Sequence, residues 1–306
     1  GSHLLYRQRG QDAMRYSVII PTLNGEKQIV SLLETLQTQS LPPSQILVVD
    51  SQSDDATVER AQSVAGVRVE TIRRQDFDHG GTRDWAIRRC DSDVVVFMTQ
   101  DAMPTDGDCM KNLLAPLDDP KVAAVGGRQI AYPDARPFER LIRANNYPAE
   151  SRVWARADIE KMGVRAFLIS DVCAAYRKSA YLEVGGFDHP ILTNEDMLMA
   201  EKLLHAGYKI AYSGKAAVYH SHCFTLRQEY RRNYIIGQTM KRYEERFEHV
   251  SETGTGVKLV KNVMRQLVRE GHIGECFCFA ANCAARFLGN RMGRRAEKKN
   301  DVPSKM

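Results

Sequence analysis

The sequence predicts an α/β chain: a Rossmann-like, mostly parallel sheet with flanking helices, followed by a C-terminal helical extension. Three observations carry this. Short apolar runs rich in β-branched residues alternate with helical patterns over the first hundred residues, as parallel strands with crossover helices do. The runs end in polar residues, with Asn24, Asp50 and Asp101 each just beyond a strand. Beyond Leu226 the pattern is helical throughout.

Each element has its own signal. Ser17-Val18-Ile19-Ile20 is a strand stopped by Pro21, and Ile29, Leu32, Leu33 and Leu36 recur at helical spacing until Leu41-Pro42-Pro43. Ile46-Leu47-Val48-Val49 forms a second strand, and the polar Ser51 to Asp55 feeds a helix through Val58, Ala61 and Ala65. Val67 to Ile72 alternates as a third strand, Thr82 to Arg89 is a short helix, and Val94 to Met98 is a fully apolar fourth strand. From Ala102 to Ala166 the pattern loosens to one helix near Leu113, a strand at Val122 to Gly126 and a long polar stretch. Thr193-Asn194-Glu195-Asp196 can cap a helix that runs to Gly207. Lys209 to Tyr212 and Ala217 to Tyr219 read as two strands, and Val257, Val260, Val263, Met264 and Leu267 mark one amphipathic helix face.

Composition narrows the function. The chain has 306 residues, 43% hydrophobic and 26% charged, which excludes disorder and fibrous repeats. Apolar stretches fall short of the roughly 20 residues a bilayer span needs, and no charged-then-apolar leader is visible, so the expected location is cytoplasmic. Gly1-Ser2-His3 reads as a cloning remnant. Seven cysteines, odd in number and scattered, suit reduced thiols. His272, Cys276, Cys278 and Cys283 lack the paired knuckles of structural zinc. From Arg227 to Met306 there are 17 basic residues against 9 acidic, while the preceding body is slightly acidic. That body and the few aromatics of the tail argue against nucleic-acid binding.

In an open α/β sheet, ligands bind beyond the carboxyl ends of the strands, where Asn24, Asp50 and Asp101 converge. Asp101 suits a hard divalent ion shared with a nucleotide diphosphate. Its alternative is a solvated turn aspartate. His220 and His222 follow a strand two apart, so an extended backbone would turn only one of them to the crevice, as a further metal ligand. Glu195 and Asp196 open a helix, where the macrodipole already favours carboxylates, and either is placed to act as a general base. Gly80 and Gly81 at a helix start would let backbone N–H groups approach a phosphate, with Arg83 adding charge, although Walker and dinucleotide spacings are absent.

Taken as an ordered set from about Tyr16 to Thr225, these residues resemble the family 2 glycosyltransferases of the GT-A fold, and within them the bacterial rhamnosyltransferase-like group. Val18 to Asn24 is similar to the family's first strand and nucleotide loop, and Val48 to Thr57 to its second, whose leading Asp contacts base or ribose. Phe77-Asp78-His79-Gly80-Gly81-Thr82-Arg83-Asp84 resembles the segment marking the rhamnosyltransferase-like group. Thr99 to Pro104 falls where the family has Asp-x-Asp, with Gln100 before Asp101 and Met103 in the third position, so one metal carboxylate remains. Glu195-Asp196-Met197-Leu198 matches the Glu-Asp motif, and Val218 to His222 a late strand that can give a histidine to the metal.

The resemblance implies an inverting transfer from a nucleoside-diphosphate sugar, dTDP-rhamnose, to a saccharide or lipid-linked saccharide acceptor in bacterial surface polysaccharide synthesis. It implies donor contacts from Pro21, Thr22, Asn24, Asp50, Ser51, Asp54, Gly80, Gly81, Arg83, Gln100 and Asp101, with Mg²⁺ or Mn²⁺ on Asp101, His220 and His222. Asp196 would be the base, with Glu195 beside it, and Tyr147 and Trp154 an acceptor platform. The expected organisation is a lead-in (1–15), a donor half (16–105), an acceptor and catalytic half (106–225) and the basic helical extension (226–306). That extension, with Arg291, Arg294, Arg295, Lys298 and Lys299 after an apolar helix, suits the inner membrane face or a homodimer contact. The competing readings are a transferase of the same fold using another nucleotide sugar and a nucleotide-sugar-binding protein without transfer activity.

Overall fold

The computed structural model describes residues 14–251 and 254–297. The cloning-remnant reading of Gly1 to His3, and Lys298 and Lys299, lie outside them. The first half follows the apolar runs: β1 (Tyr16–Thr22), α1 (Ile29–Gln37), β2 (Gln45–Asp50), α2 (Thr57–Ser63), β3 (Val67–Thr71), α3 (His79–Ile87) and β4 (Val94–Met98). The four strands are parallel in the order β3-β2-β1-β4. Val18 and Ile20 pack on one face of the sheet with α1, and Ile19, Leu47 and Phe97 pack on the other with α3. Burial on both faces explains why these strands read as unbroken apolar runs.

The second half departs from the sequence reading. It contains β5 (Met103–Pro104), α4 (Cys109–Leu114), β6 (Val122–Ile130), α5 (Pro137–Asn146), β7 (Arg152–Trp154), α6 (Ile159–Met162), β8 (Cys173–Arg177), α7 (Lys178–Glu183), α8 (Glu195–His205) and β9 (Lys209–Tyr219). The stretch expected as a long loop holds α5, opened by Pro137 at its first turn and anchored by Phe138 and Ile142. The two late strands are one, β9, with a register shift against β6 near Gly127. Asn194 precedes α8 in the left-handed conformation (φ 63°) and makes no side-chain cap.

All nine strands form one sheet, in the order β3-β2-β1-β4-β8-β6-β9-β5, with β7 also on β9. β8 runs antiparallel to β4 and β6, while β9 runs parallel to β6. A strand that runs backwards starts where its neighbours finish. The start of β8 therefore lies beside the end of β4, joined by Thr99 N–H donating to Val172 O at 3.2 Å.

Beyond the sheet lie α9 (Leu226–Arg242), α10 (Thr255–Arg269) and α11 (Ile273–Ala296). Thr225 caps α9 in a capping box with Gln228. α9 and α11 touch backbone to backbone: a Cβ at Gly289 or Gly293 would overlap the carbonyl of Tyr230 or Tyr234, and one at Gly237 that of Asn290. α10 and α11 also pack on α5 through Val263, Leu267 and Phe279 against Phe138 and Ile142. Cys276, Cys278 and Cys283 pack beside that cluster. Among the described residues no helix is long and apolar enough to cross a membrane.

Candidate functional site

The carboxyl ends of β1, β2 and β4 are knitted together by side chains. Asp50 is fully buried, and its carboxylate accepts from the Thr22 hydroxyl (2.8 Å), the Ser53 N–H (2.8 Å) and the Ser53 hydroxyl (2.5 Å). Its role in this structure is to shape the β2 loop, in which Ser51 is also buried. Asn24, in the left-handed conformation (φ 51°), accepts from Asp54 N–H, and Asp54 is exposed and paired with Arg74 at 2.6 Å. Gln100 accepts from Leu23 N–H and donates to Leu23 O, clamping the loop after Pro21 and Thr22 against the end of β4.

Asp101 meets both histidines. The Nε2 atoms of His220 and His222 lie 3.4 and 3.5 Å from the same carboxylate oxygen. The alternation expected of a continuing strand does not part them: β9 ends at Tyr219, and residues 220–225 belong to no strand or helix. Against the cost of burial, the hydrogen bond and charge of His220 hold the Asp101 carboxyl well below the usual range. Burial and the neighbouring His220 push His222 down to about 4.

The other ring nitrogen of His220 is also engaged. Gln129 Oε1 accepts from Arg143 and lies 2.9 Å from His220 Nδ1, while its amide donates to the Tyr147 hydroxyl. Gln129 is thereby oriented to accept a hydrogen bond from Nδ1–H, which leaves Nε2 to face the Asp101 carboxylate, as a donor when protonated and as a metal ligand when not. A ligating histidine typically donates its other N–H to a carbonyl in this manner. Two imidazoles and one carboxylate suit Mn²⁺ and related ions, so these three residues form a group able to hold a divalent metal.

The second cluster is acidic. Donor atoms of Asp171, Glu195 and Asp196 lie within 4.8 Å of one another. Asp171, just before β8, was not singled out from the sequence, although it stands at the head of the apolar Val172 to Tyr176 run. Its carboxylate accepts from Tyr176 at 2.7 Å, and its N–H donates to Asp196 at 3.1 Å. Met197 N–H donates to the other oxygen of Asp196 at 2.8 Å. Arg83 is the cation of the group, 3.8 Å from Asp171 and 3.7 Å from Glu195.

These placements correct the reading of the glycine segment. Arg83 is buried among acids. Gly81 N–H is taken by Asp78 at 2.5 Å, and Gly80 packs so closely on Asp188 O that a Cβ would overlap it. Gly80 admits the 188–191 loop and Gly81 the capping Asp78 carboxylate, so the start of α3 is already capped by the chain itself.

Burial separates the three acids. Asp171 and Glu195 are 2% and 5% exposed, whereas Asp196 is partly accessible. Burial first, then the Glu195 charge, push Asp196 up to about 7. Burial, then the charges of Asp196 and Glu195, raise Asp171 well above the usual carboxylate range.

A cavity of about 380 Å³ has His222 of the first cluster in its wall, together with Ser170, the residue before Asp171. Tyr147 lies on it half-buried. Trp154 also lines it, but is 5% exposed with its indole N–H donating to Ala166 O at 2.9 Å, so most of the ring serves the core.

Residues 17–185 match the family model described as glycosyl transferase family 2. An O-antigen chain rhamnosyltransferase of Salmonella typhimurium, RfbN, is 36% identical over 92% of this chain and 90% of its own length. Another, WbaN of Salmonella anatum, is 34% identical over 91% and 89%. Among solved structures, the mannosyltransferase PcManGT from Pyrobaculum calidifontis, in complex with GDP-Man and Mn²⁺, aligns with a TM-score of 0.57 at 19% identity, covering 94% of this chain and 76% of that one. TarS 1-349 of S. aureus, in complex with UDP-GlcNAc, aligns at 0.55 and 16% identity, covering 92% and 91%. These two show a shared fold.

The metal-holding geometry predicts that Mn²⁺ titrated calorimetrically binds the intact chain and that Asp101→Ala weakens it by about 10–100-fold or more. Equal affinity in the variant would place the cation elsewhere.

Proposed function

The chain belongs to glycosyl transferase family 2 and is a rhamnosyltransferase-like glycosyltransferase, and from that premise we propose that it transfers L-rhamnose from dTDP-rhamnose, with inversion, to a saccharide on a lipid carrier in O-antigen-type polysaccharide synthesis. The observation that carries the catalytic part is the unequal burial of three adjoining acids. Only Asp196 is open enough to meet an acceptor, and its affinity for protons is raised towards neutrality.

In this reading residues 16–105 hold the donor, 106–225 supply the base and the acceptor cavity, and the basic extension brings in the carrier. The acceptor hydroxyl gives its proton to Asp196 as its oxygen bonds to the anomeric carbon. The bond from that carbon to the diphosphate oxygen breaks, and its electron pair leaves with the nucleoside diphosphate. Asp101, His220 and His222 would hold a divalent cation, whose chemistry there is to neutralise charge on the departing diphosphate. Glu195 and Arg83 act on Asp196 through charge, as positioning residues. Phe277, Phe287, Leu288 and Met292 on α11 are exposed beside Arg291 and Arg295, a pairing of apolar surface and cations that suits the cytoplasmic face of an anionic bilayer. The rhamnosyltransferases similar to this chain support the donor assignment.

Asp196→Asn is expected to keep donor binding while kcat falls by roughly 10²–10⁴-fold. Near-normal turnover would remove Asp196 as the base.

The base must be deprotonated to act, so kcat/KM should rise with pH through about 7 and level off above it. Glu195→Gln removes a negative neighbour and should shift that limb to lower pH. An unmoved or upward-shifted limb would contradict the coupling.

A further inference from the structure

The cavity beside His222 is far more basic than a neutral sugar requires. Five arginines line it: Arg143 and Arg152, Arg165 before β8, Arg232 on α9 and Arg286 on α11. The acids in its wall are Glu139 and Glu229. None of the five arginines comes within 4.0 Å of a carboxylate among the described residues, although ion pairs are common elsewhere in the chain. Arg143 is used by Gln129, Arg152 lies over Trp154 and Arg232 over Phe224, whereas the side chains of Arg165 and Arg286 make no such contact among the described residues. Burial, then repulsion from Arg165, lowers Arg152. Burial, then Arg286 and Arg143 against the favourable Glu229, lowers Arg232. Cations held together at a cost in a concave site indicate an anionic ligand, and guanidinium groups match phosphate oxygens in pairs.

We propose that this cavity binds the phosphate-ester anion of the acceptor, the diphosphate that joins its saccharide to the carrier, with Arg165 and Arg286 among the groups that grip it. The inference rests on the glycosyltransferase reading above and deepens it by naming the acceptor's chemical class. A diphosphate fits the charge, because five guanidiniums against two carboxylates leave about three positive charges. It also fits the position: α11, which carries Arg286, presents the exposed apolar residues proposed to meet the bilayer, and the same cavity wall includes His222 and Ser170, the residue before Asp171. A carrier-linked saccharide entering from the membrane would pass its diphosphate across these arginines.

The test is binding of inorganic pyrophosphate and farnesyl diphosphate to the full chain in excess chelator, so that no cation bridges a phosphate to Asp101. Farnesol, dTDP and phosphatidylglycerol vesicles serve as the comparison arms. The intact chain is expected to bind both diphosphates and not farnesol. Arg165→Gln with Arg286→Gln should weaken both diphosphates at least tenfold, with dTDP binding in the presence of Mn²⁺ and vesicle binding unchanged. Arg286→Lys, which keeps the charge, should retain part of the affinity, and matching thermal melts exclude misfolding. Equal diphosphate affinity in the double variant overturns the proposal. So does a loss confined to the vesicles, which would make the anion a lipid headgroup. Because binding is read without turnover, a chain that binds diphosphate yet transfers no sugar keeps this inference and loses the functional reading, and a chain that transfers sugar yet binds no diphosphate does the reverse.

Discussion

The antiparallel pairing of β4 with β8 is the constraint on which the site depends. Met98 faces Cys173 in that ladder, so the chain enters β8 at the edge where it left β4. Asp171 consequently stands beside the Thr99 to Asp101 turn, and through its N–H it fixes Asp196. Were β8 parallel to β4, five residues of strand would carry Asp171 to the opposite edge, about 17 Å away. β9, running parallel to β6, leaves the sheet at the same edge and delivers His220 and His222 to Asp101. One reversal of direction thus gathers groups separated by more than a hundred residues.

Charge is arranged there at a cost. Three carboxylates crowd around one guanidinium, and Arg83 Nε and Asp171 Oδ2 each lack a hydrogen-bond partner at 3.8 Å separation. A fold selected only for stability would replace such a group with apolar residues. What the arrangement gains is an accessible carboxylate that titrates near neutrality, where it can take a proton from a hydroxyl and release it again. Tyr176 and two backbone N–H groups hold the cluster in place. The His220 tautomer is controlled from outside in the same manner, by Gln129 and Arg143.

The first half of the sheet was legible because its strands are buried on both faces and carry β-branched residues in unbroken runs, as in Val94-Val95-Val96. β8 was missed because Cys173-Ala174-Ala175-Tyr176 has little β-propensity, and with it went Asp171. α5 was missed because its exposed face is dense with arginine and asparagine. The reason for Gly80 was not legible because what it touches, Asp188 and Ile191, is more than a hundred residues away, and no local pattern reports so distant a neighbour. The histidines were separated on paper by strand geometry that stops one residue too early. Asp101, Glu195 and Asp196 were legible because they follow a strand or open a helix, positions where a carboxylate rarely serves packing.

The central claim is a single displacement in which Asp196 takes the proton from an acceptor hydroxyl opposite the leaving diphosphate. The anomeric configuration of the product, read from its one-bond carbon–hydrogen coupling by NMR, tests it most directly. The account predicts a configuration opposite to that of the donor sugar. Retention of the donor's configuration would require a different chemistry and would contradict it.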